Sequence, residues 1–494
     1  MPPNYDLIVL GGGSAGLTAA VMSAGLGART LLVERHKLGG DCLHTGCIPS
    51  KALIRSANVA SLVHRAAEFG LDVPLSSVDF PRVDFPRVME RVADVIRTIE
   101  PHDSPEHLAT RGVEVRFGEA RFLSPREITL NGETLRSRKF VIATGSRPAI
   151  PPIEGLSGGL GGYLTNENVF ELRKRPEHLI VLGAGPIGAE MAQAFRRLGS
   201  LVTLLDMAPR VLPREDPDVS ALITSVFEQE GIRVCVSAKV IRDTVREPGP
   251  GETEPLTEHR IDFEHGGKRE TIGGDALLIA VGRRPNVEGL DLEKAGVAVE
   301  SQGIPTNARC RTTTSNIYAC GDVAGRFLFT HTAEYEAKVA VTNAILHIPM
   351  KLDYRAVPWV TFTDPEAARV GLTEEEARRQ HGAVKVHRIT LNREDRSLTD
   401  GETEGLVKVI ATPKGRVLGA HIVSPRAGEM ILEYTLAMQH SIPLAKLSST
   451  IHPYPTFALA ARHAADLYWR EKASPTLIRW LQRIFGYSGT IPGN

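Results

Sequence analysis

Residues 5–16 read Tyr5-Asp6-Leu7-Ile8-Val9-Leu10-Gly11-Gly12-Gly13-Ser14-Ala15-Gly16. The apolar run predicts a buried strand, the glycines a tight turn, and the small residues through Ala24 a helix. A second strand, Thr30-Leu31-Leu32-Val33, ends at Glu34. Strand, glycine triplet, helix, strand and terminal acid together make a dinucleotide-binding unit, a far more specific signal than a lone triplet. Gly11 permits the turn, Gly13 lets a pyrophosphate approach the backbone, and Gly16 lets helix and strand pack closely. The helix start at Ser14 and Ala15 offers N–H groups to the phosphates, and Glu34 stands where a carboxylate would bind ribose hydroxyls.

The pattern returns once. Leu179-Ile180-Val181-Leu182 leads into Gly183-Ala184-Gly185-Pro186-Ile187-Gly188, a helix from Ala189 to Leu198, and a strand Val202-Thr203-Leu204-Leu205 ending at Asp206. Gly183, Gly185 and Gly188 repeat the three glycine roles. Two such units imply two nucleotides, and an enzyme passing electrons between them is the economical reading. Asp206 would repel a 2′-phosphate and accept from a free ribose, which favours NADH over NADPH, while nearby Arg210 softens that preference.

Between the two units lies Gly39-Gly40-Asp41-Cys42-Leu43-His44-Thr45-Gly46-Cys47-Ile48-Pro49-Ser50-Lys51. Two thiols this close open and close a ring with little backbone motion, so they can accept two electrons and pass them on. Cys235, Cys310 and Cys320 are scattered, which argues against a secreted disulfide scaffold and for a reducing compartment with one working pair. A chain of 494 residues suggests about three domains of roughly 100 to 200 residues. Lys plus Arg and Asp plus Glu number 58 each, so the basic footprint of a nucleic-acid binder is missing. The amino terminus enters a strand without a basic, apolar leader, and no apolar run reaches the roughly 20 residues that span a bilayer. A soluble cytoplasmic protein with small-molecule partners and no resident metal is expected.

These residues resemble the flavoprotein pyridine nucleotide-disulfide oxidoreductases, the family of glutathione reductase, dihydrolipoamide dehydrogenase and mercuric reductase. Three further stretches carry the likeness: Ala143-Thr144-Gly145, Gly282-Arg283-Arg284-Pro285-Asn286, and Cys320-Gly321-Asp322. The resemblance implies an α/β fold with two dinucleotide-binding (Rossmann-like) domains plus a carboxy-terminal α+β dimerisation domain. FAD would be held by residues 1–150 and 283–350, NADH or NADPH by 151–282, and the homodimer interface by 351–470. In that frame Gly40, Asp41, Lys51, Thr144, Gly145, Gly282 and Asp322 join the glycine loops as cofactor-binding residues, with Asp322 at the FAD ribitol. Cys47 would face the flavin and Cys42 the acceptor. Glu190 would pair with Lys51, whose charge lowers the pKa of the Cys47 thiol.

The carboxy-terminal third mixes strands at Trp359–Phe362, Val384–His387, Leu406–Ile410 and Val417–Ile422 with helices such as Thr373–Arg379, which opens on a capping box of Thr373 and Glu376. Pro413-Lys414-Gly415 predicts a hairpin turn. Relatives that reduce disulfides carry a His-Pro-Thr stretch with a glutamate five residues after the histidine, an acid/base dyad. Here the stretch is Ile451-His452-Pro453-Tyr454-Pro455-Thr456-Phe457-Ala458-Leu459, so Tyr454 or His452 takes the base position and no glutamate follows. The tyrosine resembles mercuric reductase, but no cysteine follows Cys320 and no extra amino-terminal metal-binding domain is present, although soft Hg(II) needs thiolates for capture. The reading is electron transfer from NAD(P)H through flavin and Cys42–Cys47 to a metal ion or small disulfide. Dihydrolipoamide dehydrogenase and a slow-turnover redox sensor or scaffold are the alternatives.

Two features lie outside the family pattern. Asp79-Phe80-Pro81-Arg82-Val83 repeats at once as Asp84-Phe85-Pro86-Arg87-Val88, and the second copy is expected to open a helix through Ile99. The tail, residues 471–494, places Leu477, Leu481, Ile484 and Phe485 at helical spacing beside Arg479 and Arg483. Packing on the interface domain is preferred there to contact with a membrane surface.

Overall fold

The computed structural model describes residues 3–72, 83–156, 162–246 and 258–490. The chain divides into two compact units, Met1–Pro209 with Phe227–Asp353, and Arg210–Val226 with Tyr354–Asn494.

The first unit opens with β1 (Tyr5–Leu10), α1 (Ser14–Gly25), β2 (Thr30–Glu34), α2 (Gly40–His44) and α3 (Cys47–His64). Next come α4 (Phe85–Ile99), α5 (Pro105–Thr110), β3 (Val113–Phe117), β4 (Ala120–Ser124), β5 (Glu127–Leu130), β6 (Glu133–Ile142) and β7 (Ser146–Pro148). α4 is the second copy of the duplication, capped by Asp84 with a proline in its first turn; the first copy falls mostly outside the described residues. The sheet runs β3-β2-β1-β6-β5-β4, parallel through β3, β2, β1 and β6. Leu7, Ile8 and Val9 are fully buried, which is why β1 reads as a continuous apolar run: parallel strands are covered on both faces.

A second parallel sheet, β10-β9-β8-β14, is built from β8 (His178–Leu182), α6 (Pro186–Arg197), β9 (Leu201–Leu205), then, beyond α7 (Pro217–Gln229), β10 (Arg233–Cys235). An antiparallel ribbon of β11 (Lys239–Arg246), β12 (Glu258–His265) and β13 (Lys268–Gly274) precedes β14 (Ala276–Ile279). β15 (Arg283–Pro285) then pairs with β7, and β16 (Ile317–Ala319) returns to pair with β6 ahead of α8 (Thr330–Val341).

The two glycine loops are near copies in space. Gly11 and Gly183 have φ of +103° and +111°, a region that glycine alone enters freely. A Cβ on Gly16 would stand 1.8 Å from the Gly11 carbonyl oxygen, and one on Gly188 1.8 Å from that of Gly183. Each second strand ends in a carboxylate that accepts from its own loop: Gly12 N–H donates to Glu34 at 2.6 Å, and Ala184 N–H to Asp206 at 2.5 Å.

The second unit is a five-stranded antiparallel sheet in the order β17-β18-β21-β20-β19. Its elements are β17 (Pro358–Thr361), β18 (Glu366–Gly371), α9 (Glu374–His381), β19 (Lys385–Thr390), α10 (Asp395–Asp400), β20 (Leu406–Ala411), β21 (Val417–Ser424), α11 (Ala427–Gln439), α12 (Leu444–Ser449), α13 (Ala458–Lys472) and α14 (Pro475–Phe485). Thr373 and Glu376 make both bonds of the capping box, and Gly415 turns the β20–β21 hairpin at φ +84°. Val370, Val409, Ile422 and Tyr434 fill the core. β18 was missed in the sequence because Ala367, Ala368 and Val370 are small and Arg369 interrupts them, burying its side chain against Glu376 at 2.7 Å.

A buried cation holds one edge of this unit. Lys408 lies 2.9 Å from both Asp216 and Glu374 and 3.3 Å from Asp218. Burial works against its charge while bonds to Glu374 and Asp216 raise its pKa. Lys408→Met is expected to lower unfolding stability by about 3–5 kcal/mol, because it removes the cation 2.9 Å from the buried Asp216 carboxylate; denaturant unfolding checks this.

The tail departs from expectation. α14 forms, but among the described residues nothing buries its apolar stripe, of which only Leu481 is half-buried.

Candidate active site

Cys47 is the first residue of α3, so its sulfur lies at a helix amino end, where partial positive charge favours a thiolate. A second helix contributes: Thr330, the first residue of α8, places its hydroxyl 3.3 Å from Cys47 Sγ. Both thiols of the pair are free and hydrogen-bond to each other. That bond pulls the Cys47 pKa down to about 6 against the opposing effect of burial, with Thr330 and the Lys51 charge assisting. The same bond, then burial, pushes Cys42 well up. One proton therefore serves the pair and rests on Cys42. Cys310 and Cys320 have raised pKa values through burial, so they are inert core thiols.

Lys51 sits one turn beyond Cys47, and its ammonium is 2.8 Å from Glu190 on α6. Glu190 is buried, so the pair is more than a surface contact.

The motifs of the first unit converge near the cysteines. Asp41, beside Cys42, accepts from Asn166 at 2.9 Å and from Thr45 through one oxygen, and pairs with Arg283 at 2.7 Å through the other. Both of its oxygens are thus engaged by protein. Arg283 also donates to the Ser146 hydroxyl at 2.7 Å, and Ser146 donates to Asp322 at 2.5 Å. Burial raises the Asp322 pKa. Thr144 and Asn286 exchange bonds of 2.6 and 2.9 Å, clasping the Ala143-Thr144-Gly145 and Gly282–Asn286 stretches together.

The glycine cradle fits an FAD pyrophosphate. A Cβ on Gly40 would come within 2.7 Å of the Gly13 Cα, so the redox run and the first glycine loop approach backbone to backbone. Gly145, at φ +68°, faces open space, and Glu34 closes the far end of the loop.

His452 and Tyr454 belong to the second unit. Both ring nitrogens of His452 are engaged, Nδ1 with the Thr450 carbonyl at 3.0 Å and Nε2 with the Glu433 carboxylate at 3.1 Å. The Tyr454 hydroxyl donates to Asp395 at 2.8 Å, and that carboxylate raises its pKa. Thr330, Asn166, Arg283, Glu433 and Asp395 were not singled out as site residues from the sequence. Thr330 is 283 positions from Cys47, and no spacing rule joins residues so distant.

Residues 5–337 match the pyridine nucleotide-disulphide oxidoreductase model and residues 357–465 its dimerisation domain. The chain belongs to this family, an FAD- and NAD(P)H-dependent class of oxidoreductases. It is 39% identical to a dihydrolipoyl dehydrogenase of Thermus scotoductus, over 94% of this chain and 97% of that protein. It is 33% identical to a mercuric reductase of Staphylococcus aureus, over 94% of this chain and 82% of that protein. Among solved structures it resembles the Cu(II) complex of the HOCl-induced flavoprotein disulfide reductase RclA from Escherichia coli, with TM-score 0.81 and 28% identity over 94% of this chain and 100% of that one.

The lowered Cys47 pKa gives a signed pH dependence. In the two-electron-reduced enzyme, the long-wavelength absorbance of a thiolate beside flavin is expected to be full at pH 8 and to fade as pH drops through about 6, where Cys47 protonates. Lys51→Met removes a charge that favours the thiolate and is expected to move that midpoint upward by roughly one pH unit. A pH titration of the absorbance checks both.

Proposed function

We propose that the chain is an NADH-driven reductase that sends two electrons through the Cys42–Cys47 disulfide to a thiolate-binding metal ion or a small disulfide. Bound FAD would supply the relay, taking a hydride from the nicotinamide and delivering two electrons to sulfur. On reduction the disulfide opens: Cys47 keeps its charge beside Lys51 and Thr330, and Cys42 takes a proton and meets the acceptor. Lys51, oriented by Glu190, favours the thiolate over the thiol at Cys47. Asp322 and Glu34 are the carboxylates proposed to hold the FAD ribitol and ribose, and the dimerisation domain is proposed to build a homodimer.

The observation that carries the acceptor assignment is Tyr454, hydrogen-bonded to Asp395, at the place where disulfide-exchanging relatives keep a histidine base. His452 does not replace it, because its ring nitrogens already face Thr450 and Glu433. Exchange with a dithiol needs a group that shuttles protons to and from sulfur; a soft metal ion held by thiolates does not, and thiolates select such ions. RclA, solved with Cu(II), supports a metal acceptor. The 39% identity to a dihydrolipoyl dehydrogenase favours a second reading, lipoamide. NADH preference is supported by Asp206 at the second loop and by Arg210, whose guanidinium donates to the carbonyls of Pro213 and Glu215.

Steady-state rates with Hg(II) in excess thiol, with Cu(II) without added thiol, with lipoamide and with glutathione disulfide, each with NADH and NADPH, test this. Turnover fastest with a metal ion and NADH is expected, with glutathione disulfide as a slower second acceptor. Fastest turnover of lipoamide would replace the acceptor assignment, turnover of none would mark a redox sensor, and a strong NADPH preference would overturn the reading of Asp206.

A further inference from the structure

The family's dimerisation domain ends at residue 465, yet the chain continues into a helix specified by its own caps. Ser474 accepts from the Leu477 N–H, Pro475 occupies the first turn, and Gly486 closes the helix in the left-handed region at φ +70°. Leu477, Trp480, Leu481, Ile484 and Phe485 nevertheless form one stripe at the i, i+3, i+4, i+7, i+8 spacing of a buried face, with Ile478 at its edge. Trp480 is 58% exposed, Ile484 53% and Phe485 60%.

Charge identifies the partner. The whole chain is neutral, but after Glu471 there is no acidic residue, while Arg479 and Arg483 lie on the face of the helix turned away from the stripe and Arg470 and Lys472 precede it. Trp469 and Tyr487 are also exposed at either side of the helix. Apolar stripe, cationic polar face and aromatic ends together match an anionic lipid surface, where the stripe enters the headgroup boundary and the arginines reach back to the phosphates. Among the described residues no helix is long and apolar enough to cross a membrane, so the contact is one of lying on a surface.

We propose that α14 docks this enzyme on anionic membranes through Trp480, Leu481, Ile484 and Phe485. The test is cosedimentation of the full-length holoenzyme with vesicles of phosphatidylcholine alone or mixed with phosphatidylglycerol. Binding to the mixed vesicles is expected, weakened by salt and small on phosphatidylcholine alone. Trp480→Glu with Phe485→Glu should lower the bound-to-free ratio at least about tenfold, and Arg479→Gln with Arg483→Gln by roughly tenfold at low salt. Both variants should keep the NADH-dependent activity in solution. No binding of the unaltered enzyme, equal binding to both vesicles, or undiminished binding of the Glu variant overturns the proposal. A smaller oligomer in the Glu variant, without vesicle binding by the parent, would assign the face to a second copy.

Discussion

Cys47→Ser and Cys42→Ser are each expected to cut turnover with any thiol-dependent acceptor by at least about 10³-fold, because neither variant can form the disulfide that receives the electron pair. The two should differ in spectrum. With Cys42 replaced, Cys47 cannot be held in a disulfide and keeps its helix amino end, Thr330 and Lys51; its thiolate absorbance beside flavin should appear without any reductant. With Cys47 replaced, Cys42 stays the thiol whose charged form burial disfavours, even with Thr330 and Ser14 hydrogen-bonding to it, and the absorbance should be absent. Purified holoenzyme spectra with steady-state rates check both halves, and equal spectra from the two variants would contradict the division of labour.

Gly16→Val and Gly188→Val are expected to produce the other large effects, separated by nucleotide. In each case the first added carbon would lie 1.8 Å from a carbonyl oxygen of the same loop, so helix and strand must part. The expected result for Gly16→Val is loss of bound FAD from the purified protein. For Gly188→Val it is retained FAD with kcat/KM for NADH lowered by about 10²-fold or more. Flavin content and NADH kinetics distinguish the two, and a Gly188→Val protein that sheds FAD would contradict the separate use of the two loops.

Both glycine loops were legible because their constraint is local. Positive φ at Gly11 and Gly183, and backbone approach at Gly16 and Gly188, admit one residue type, so the pattern survives in the chain as written. The capping box at Thr373 and the turn at Gly415 were readable for the same reason. β18 was not, since its small residues, interrupted by Arg369, carry no alternation of their own and are buried by elements packed on the sheet such as α11. The active site divides along the same line. Cys42, Cys47 and Lys51 share one short run and were found together; Glu190 came from family resemblance. Thr330 at Cys47, Arg283 at Asp41 and Glu433 at His452 are tertiary meetings with no sequence spacing of their own. The engagement of both His452 nitrogens likewise becomes visible only when α11 brings Glu433 to the ring. The tail shows the converse: its helical stripe was legible, but its exposure follows from what surrounds it.

The central claim is that Cys47 is a thiolate facing the flavin once the disulfide opens. Anaerobic titration of the enzyme with NADH, followed by absorbance, tests it most directly. A long-wavelength band rising with the first two electrons, and missing from Cys47→Ser, is the predicted result. No such band in the unaltered enzyme, or its survival in Cys47→Ser, would contradict the account.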